Sequence, residues 1–218
     1  MAGGVRYKWQ GSKVEISTSF DSTAKDITAI SKANPAVVTS AAHGLADGAV
    51  VEITGVAGMT ELNGRRFVVE SLTTDTFALV GVDSTGYGTY TSGGDAVAGT
   101  FANFCEMTGY NRQGGTSAEI DATTICSDAA EFETGLPDFG TTQIDYNWAP
   151  AVAVQKAIEA AYASGDVIAV RVVLPKNGGT KVQLGTVQQT SEQASNGSLW
   201  TGSLTIRNSG APAFFEAA

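Results

Sequence analysis

Few residues in this 218-residue sequence have the types and the spacing that catalysis or metal binding requires. His43 is the one histidine, and it precedes a glycine in a turn, where the sequence offers it neither a nucleophile nor an orienting acid. Cys105 and Cys126 lack CxxC spacing and lie among strand-forming residues. We therefore expect His43 to be a turn residue, and both cysteines to be small buried hydrophobic residues.

The closely placed acidic residues match no metal-binding loop. Asp121, Asp128 and the Glu131/Glu133 pair are spaced irregularly and do not follow the calcium-loop pattern. The segment 113–116, Gln-Gly-Gly-Thr, lacks the lysine and the following helix of a phosphate-binding loop, so we interpret it as a turn. Two carboxylates suffice for glycoside hydrolysis, but any acidic β protein would meet that condition. The sequence thus indicates no enzyme, no catalytic residues, no cofactor and no metal.

The charge balance argues against a protein that binds nucleic acid tightly. The formal net charge is −9, and the 13 basic residues are scattered. Affinity for phosphates requires clustered Lys and Arg. The one basic doublet, Arg65-Arg66, follows Asn63-Gly64, and we interpret it as a solvated turn.

Nothing in the hydrophobicity profile predicts a membrane segment. The first 13 residues have no apolar core of the kind that a signal peptide needs. The longest apolar run, residues 167–174, is interrupted by Arg171 and is far shorter than the ~20 residues of a membrane helix. We expect a soluble protein that is made in the cytoplasm.

Composition and periodicity predict a mainly β protein with one helix. Thr, Val and Ala dominate, and 26 glycines indicate many turns. Strands are predicted at residues 101–110, 117–125, 141–148, 167–174, 181–187 and 199–206. Between them, Val154, Ile158, Ala161 and Tyr162 recur at helical spacing after Pro150, and Gly165 is placed to end that helix.

The density of turn signals divides the chain into two predicted domains. Residues 25–97 carry short β runs separated by pairs such as Asn34-Pro35, Asp47-Gly48 and Asn63-Gly64, which is typical of a small all-β module. We therefore expect a discontinuous main domain, 1–24 and 98–218, with a β-rich domain inserted at 25–97.

The most informative stretch is residues 119–142, where strand-forming residues lead into an acidic segment and then into Gly-Leu-Pro-Asp-Phe-Gly. It resembles the signature of siphophage tail tube proteins of the lambda type, an Ile-Asp-x-Thr-Thr segment followed by acidic residues and Gly-Leu-x-Asp-x-Gly. The C-terminal segments 202–206 and 209–212 resemble the ending of the same family. The positions that carry the resemblance in the first motif are Glu119, Asp121, Thr123, Thr124, Ser127, Glu131, Gly135, Leu136, Asp138 and Gly140.

The resemblance implies a β-sandwich or barrel flanked by one helix, and a structural role in a long non-contractile phage tail. Six copies would form a ring whose sheets join into a continuous β-barrel, and rings would stack into a tube. Genomic DNA would pass through the lumen without sequence-specific binding. The tape measure protein, the tail terminator and the tail tip proteins would be further partners, and the virion the final location. Carboxylates on the inner wall would repel phosphate over a Debye length of ~8 Å.

Within the motif, we expect the segment 127–140 to be a loop that serves assembly, because it carries apolar residues in a stretch too polar for a core. The alternative is a loop folded back on its own sandwich. The residues assigned to this inter-subunit loop are Ser127, Ala129, Glu131, Phe132, Gly135, Leu136, Pro137, Asp138, Phe139 and Gly140.

The inserted segment leaves a second function open. Its pattern around His43-Gly44 and residues 58–64 resembles a small β module of phage structural proteins, which has been likened to a half-domain of ubiquitin-activating enzymes, although nothing here supports ubiquitin chemistry. We expect it to decorate the tube exterior. The alternative is a fibre or baseplate component that binds a host surface, with Tyr87 and Tyr90 among the few aromatic residues available for contact.

Overall fold

A computed structural model describes residues 6–217 of the chain. In these residues one α-helix, α1 (Ala153–Ser164), accompanies strands that build two large sheets and a separate hairpin. The strands are β1 Lys13–Ser19, β2 Lys25–Asp26, β3 Ala29–Ile30, β4 Ala36–Thr39, β5 Val50–Thr54, β6 Arg65–Ser71, β7 Thr76–Leu79, β8 Asp95–Ala98, β9 Thr100–Asn103, β10 Met107–Arg112, β11 Thr116–Asp121, β12 Phe132–Asp138, β13 Thr141–Asn147, β14 Val167–Val173, β15 Thr180–Gln193, β16 Thr201–Asn208 and β17 Ala213–Phe215.

The first sheet must curl back on itself. Its strand order is β10-β13-β16-β15-β14-β1-β9, with β17 attached to β15. Strands β9 and β10 lie at opposite ends of that order, yet only residues 104–106 connect them. Such a connection reaches at most ~15 Å, whereas a flat sheet of seven strands is ~29 Å wide. The connection also bonds to both sides, since the Phe104 N–H donates to the Val14 carbonyl (2.8 Å) and the Glu106 carbonyl accepts from the Asn147 N–H (2.9 Å).

Strand β15 passes from one half of the curled sheet to the other. Its residues 180–186 pair with β14, and its residues 185–193 pair with β16, with a register shift between Val187 and Gln189. We call β10, β13, β16 and residues 187–193 of β15 the open half. We call β9, β1, β14 and residues 180–186 of β15 the covered half.

One hydrophobic core fills the space between the two halves. Alternate residues of each strand point inward, as the period of two in a strand requires, and α1 adds its apolar side. Burial of each large side chain contributes about 1.5–3 kcal/mol. This mainly β architecture with a single helix confirms the predicted fold class. The buried residues are Val14, Ile16, Phe104, Ile144, Tyr146, Val154, Ile158, Ala161, Ile168, Val170, Val172, Val187, Leu204 and Ile206.

The helix begins later than the sequence predicts. Pro150 lies in the turn before it, and Val152 is an N-cap without a side-chain hydrogen bond. The Gln155 side chain stabilises the segment before the helix instead. Its Oε1 accepts from the Ala149 N–H (2.7 Å), and its Nε2 donates to the Asn147 carbonyl (2.9 Å). At the other end Gly165 has φ +76° and its N–H donates to the Ala161 carbonyl, which confirms the predicted stop.

The second sheet has the order β2-β8-β5-β6-β7-β4-β3 and its own buried core, which includes Ile53, Met59, Leu62 and Phe77. His43 is a buried structural residue of this sheet. Its Nδ1 accepts from the Leu45 N–H (3.0 Å) and its Nε2 lies 2.9 Å from the Thr73 carbonyl, so the proton sits on Nε2.

The two sheets pack against each other over the outer face of the covered half. Val50 and Val68 of the second sheet meet Ala169 and Val182 of the first, and Phe215 lies alongside. The covered half is therefore a layer between the central core on one side and the second sheet on the other.

Arg66 stabilises this contact between the two sheets. The prediction that Arg65-Arg66 forms a solvated turn is therefore wrong for Arg66. Its side chain is 17% exposed and donates from Nε to Glu52 (2.9 Å). The same guanidinium donates to the Val167 carbonyl of the first sheet and lies 4.2 Å from the centre of the Phe20 ring. Arg65 is exposed, because successive residues of β6 point to opposite faces.

We predict that Arg66→Ala lowers the free energy of unfolding by about 2–3 kcal/mol, because it leaves the half-buried Glu52 carboxylate and the Val167 carbonyl without their donor. Arg65→Ala is the matched control, and we expect a change within about 0.5 kcal/mol. Urea titrations of the unassembled protein measure both. Equal effects of the two substitutions would show that Arg66 does not join the sheets.

Candidate assembly site

Residues 113–140 form a hairpin arm that leaves the open half between β10 and β13. Strands β11 and β12 pair with each other in antiparallel register, with Ile120 opposite Glu133. All six residues of β11 are exposed. The sequence predicts a long loop over 127–140, but residues 132–138 of it are strand β12. The reason is that backbone groups of this stretch find partners in β11, even though Gly135 and Pro137 are weak strand formers.

The arm displays large apolar side chains to solvent. The exposed fraction is 91% for Leu136, 57% for Phe132 and 52% for Ile120, and Ile125 in the connecting loop is fully exposed. Exposed large apolar residues in close sequence mark an interaction surface. Ile120 and Ile125 are absent from the predicted set, although β-branched residues in an acidic segment are the signal that would have pointed to them.

Polar residues of the motif hold the arm tip in shape. Asp121 accepts the Thr123 N–H (2.9 Å), and the Glu131 N–H donates to the Thr123 hydroxyl (3.0 Å). The Ser127 hydroxyl donates to the Glu131 carboxylate (3.2 Å). The Thr123 hydroxyl, followed by the Thr123 N–H, holds the pKa of Asp121 below its ordinary value. The carboxylates of this region therefore shape a turn.

The base of the arm is fixed to the end of β16. Asp138 forms a salt bridge with Arg207 (3.0 Å) and accepts the Gly140 N–H (2.8 Å). The Asn208 side chain donates to the Phe139 carbonyl (3.0 Å), and the Asn208 N–H donates to the Gly140 carbonyl (3.1 Å). These bonds set the direction in which the arm leaves the sheet.

The predicted residues thus fall into three groups, and the structure does not bring them to one point. Ser127, Ala129 and Glu131 lie at the tip, and all but Ser127 are exposed. Phe132, Gly135, Leu136 and Pro137 lie along β12. Asp138, Phe139 and Gly140 lie at the base, all partly buried.

The expectation of two buried cysteines is wrong. Cys105 lies in the turn between β9 and β10, Cys126 lies at the arm tip, and both are exposed. Both follow apolar residues that sequence alone suggests to be core, but Ile125 belongs to the arm and the turn after Phe104 faces solvent.

Over residues 6–217, no group of three His, Cys, Asp or Glu side chains is arranged as metal ligands. In the same residues, no helix combines the length and the hydrophobicity that crossing a membrane takes.

Comparison with known proteins identifies the class to which this β-rich fold belongs. Residues 89–215, more than half of the chain, match the family model described as lambda phage tail tube protein, TTP. Residues 33–98 match the model of the ubiquitin-activating enzyme E1 FCCH domain, and this segment contains no cysteine. A search of curated proteins finds no match.

Among solved structures, the chain is similar to one from the tail of an empty GTA particle, refined with C6 symmetry. The identity is 13% and the TM-score 0.43, over 53% of this chain and 86% of that chain.

The chain belongs to the lambda phage tail tube protein family. It is therefore a structural protein of a phage tail tube and a component of the virion, as the motif at 119–142 predicts.

We predict that Gly140→Ala disrupts the base of the arm, so that residues 113–140 no longer keep one direction relative to the sheet. Gly140 has φ +72°, and an added Cβ would meet the backbone carbonyls of Gln113 and Gly114, the latter at 2.6 Å. Gly64→Ala is the matched control, because Gly64 has φ +70° with nothing within 4 Å. Both variants carry the cost of a left-handed alanine, about 1 kcal/mol, and only Gly140→Ala adds a clash. Hydrogen exchange of residues 113–140 should accelerate in that variant alone; slow exchange in both would contradict this account.

Proposed function

We propose that this protein is the major tail tube subunit, and that copies join into rings through the two edges of the open half. One edge is β10, which pairs on its other side with β13. The other edge is residues 187–193 of β15, which pair with β16 and, in the described part of the chain, with no further strand. Exposed strand edges are an aggregation hazard unless they are paired or blocked. Pairing them between subunits satisfies both edges at once.

The strand directions support such a junction. Strands β10, β13, β16 and β15 alternate in direction, so that the first and the last of these four are antiparallel. Rotation about a common axis preserves direction, so β10 of one subunit meets β15 of the next in antiparallel orientation. The contact is heterologous and closes into a ring when the rotation allows it. We propose six subunits, as the family resemblance implies.

The packing of the second sheet supports a proposal for the side that faces the lumen. The halves of the first sheet enclose one core, so their outer faces point in opposite directions. The second sheet covers the outer face of the covered half. A domain of its size has a radius of gyration of about 11 Å, and six such domains pointing inward would obstruct a channel. We propose that residues 25–97 are an inserted domain on the exterior, that 1–24 and 98–218 form the tube domain, and that the open half lines the lumen.

This wall would carry hydroxyl and amide groups more than carboxylates. Gln143 and Asp145 of β13 and Ser203 and Thr205 of β16 alternate with the buried residues, and the Ser191 and Ser203 hydroxyls bond to each other (2.7 Å). The cation on this face, Arg207, is paired with Asp138 at the arm base. Among residues 6–217 this face offers no unpaired Lys or Arg, which supports DNA passage without adhesion, because each such cation would add a phosphate contact.

The role is structural rather than enzymatic. DNA and the tape measure protein would occupy the lumen, and the tail terminator and tail tip proteins would meet the two ends of the tube. Synthesis and assembly would take place in the host cytoplasm. We propose that the arm, with its exposed Phe132 and Leu136, serves contacts between subunits.

The alternative of a host-binding fibre or baseplate component has less support. Tyr87 and Tyr90 pack against the core of the second sheet, and the Tyr90 hydroxyl donates to the Ile27 carbonyl (2.9 Å). Phe67 and Phe77 are buried there as well. The aromatic residues that would favour a binding surface are thus used for packing. In negative-stain micrographs, rings and tubes support the tail tube, whereas uniform trimers favour a fibre.

We predict that one of two neighbouring proline substitutions, Thr190→Pro or Ser191→Pro, blocks ring formation without unfolding the protein. Successive residues of a strand direct their N–H groups to opposite edges. One substitution therefore removes a bond to β16 and lowers the melting temperature, and the other removes a donor only at the open edge.

Each variant controls for the other. Circular dichroism identifies the variant that keeps the melting temperature, and light scattering after gel filtration measures its mass. We expect that variant to be monomeric under conditions in which the unmodified protein assembles. Rings of normal size from it would contradict pairing at residues 187–193.

A further inference from the structure

We propose that a surface formed by Trp148, Leu199 and Trp200, here called the Trp patch, receives the arm of a subunit in the next ring. This inference rests on the proposed tail tube function and adds the partner surface for stacking. The Trp patch is outside the matched motif at 119–142, and its partner would be a second copy of this chain.

The Trp patch and the arm lie at opposite ends of the open half. Trp148 directly follows Asn147, the last residue of β13, and Trp200 directly precedes Thr201, the first residue of β16. Asn147 and Thr201 pair with each other in the sheet. The arm enters β13 at its first residue, Thr141. A strand of seven residues separates its two ends by about 20 Å. When β13 runs along the wall of a barrel, one end faces the ring above and the other faces the ring below.

The Trp patch is apolar and held in place, with Leu199 and Trp200 exposed and Trp148 partly buried against the core. The two indole rings lie 5.0 Å apart between centroids, and the Trp148 N–H donates to the Trp200 carbonyl (3.0 Å). The exposed fraction is 74% for Leu199 and 50% for Trp200. Tryptophan is enriched among the residues that dominate binding energy in protein interfaces, and its rigid ring buries a large area.

The arm has complementary chemistry. It offers the apolar side chains of Ile125, Phe132 and Leu136. Residues 113–140 contain six carboxylates and no Lys or Arg. At the patch end, the N-cap residue of α1, Val152, makes no side-chain hydrogen bond, and Lys156 is exposed in the first turn. Because Glu106 and Glu192 lie at the same end, the helix dipole and this lysine offset local negative charge, and the apolar side chains carry the match to the arm.

The arrangement also explains why growth continues along one axis. Arm and Trp patch are different surfaces, so a stack of any number of rings keeps one free arm end and one free patch end. A heterologous contact of this kind does not close and produces a filament. Stacking would then be independent of the edge-strand junction within each ring.

The first test separates stacking from ring formation. The variant Leu199→Ser with Trp200→Ser should form rings of normal mass, while the concentration needed for tubes rises by about tenfold or more. Leu72→Ser is the matched control, because Leu72 is an exposed leucine (49%) in the turn between β6 and β7, and its substitution should leave tubes unchanged. Normal tubes from the double variant would overturn this inference and leave the tail tube function intact. Absence of rings from the unmodified protein would instead contradict the proposed function.

The second test uses the native thiol at the arm tip. In a Cys105→Ser background, Ser198→Cys places a thiol beside Leu199, and a short bis-maleimide can join it to Cys126 of another subunit. We expect linked chains in tubes but not in separate rings or monomers. The same background without Ser198→Cys is the control. Tubes that give no more linkage than separate rings would overturn the assignment of the Trp patch to the arm.

Discussion

The short connection at residues 104–106 is the constraint on which the rest of the structure depends. It joins the two end strands of a seven-stranded sheet and so forces that sheet to curl around a single core. Curling places Ile144 and Leu204 against Ile16 and Val170 in one core. It also turns the outer faces of the two halves away from each other. One face is covered by the second sheet, and the other is the face that we propose lines the lumen.

The same constraint explains the length of β15. At 14 residues it is the strand that belongs to both halves, and the register shift at Val187–Gln189 marks the place where it changes partners. Because β14 pairs with its first part only, the second part keeps an unpaired edge. The antiparallel order of the open half makes that edge compatible with β10 of another copy. The described part of the chain thus keeps two unpaired edges, at β10 and at residues 187–193, which the proposed ring junction would pair.

Much of this fold could be predicted from the sequence. The strand predicted at residues 199–206, the helical spacing of Val154 and Ile158, and the stop at Gly165 are local signals, and the structure agrees with them. The motif at 119–142 predicted the family, because its residues shape a turn and an arm base that depend on side-chain type at fixed spacing.

Other features depend on contacts between distant residues and have no local signal. Arg66 follows Asn63-Gly64 as a turn residue would, and only the approach of Val167 and Phe20 makes it a link between sheets. Strand β12 contains Gly135 and Pro137, and it forms because β11 lies beside it. Cys105 and Cys126 have strand-like neighbours but lie in turns. Trp200 is likewise exposed because it lies just outside β16, and its neighbours in the sequence do not predict this exposure.

Hydrogen exchange of the assembled tube, compared with the unassembled protein, tests the central claim most directly. If subunits join through the open half, amides of β10 and of residues 187–193 become strongly protected on assembly, while the edge strands β2 and β3 of the second sheet exchange as before. Unchanged exchange at β10 and at residues 187–193 in intact tubes would contradict the account.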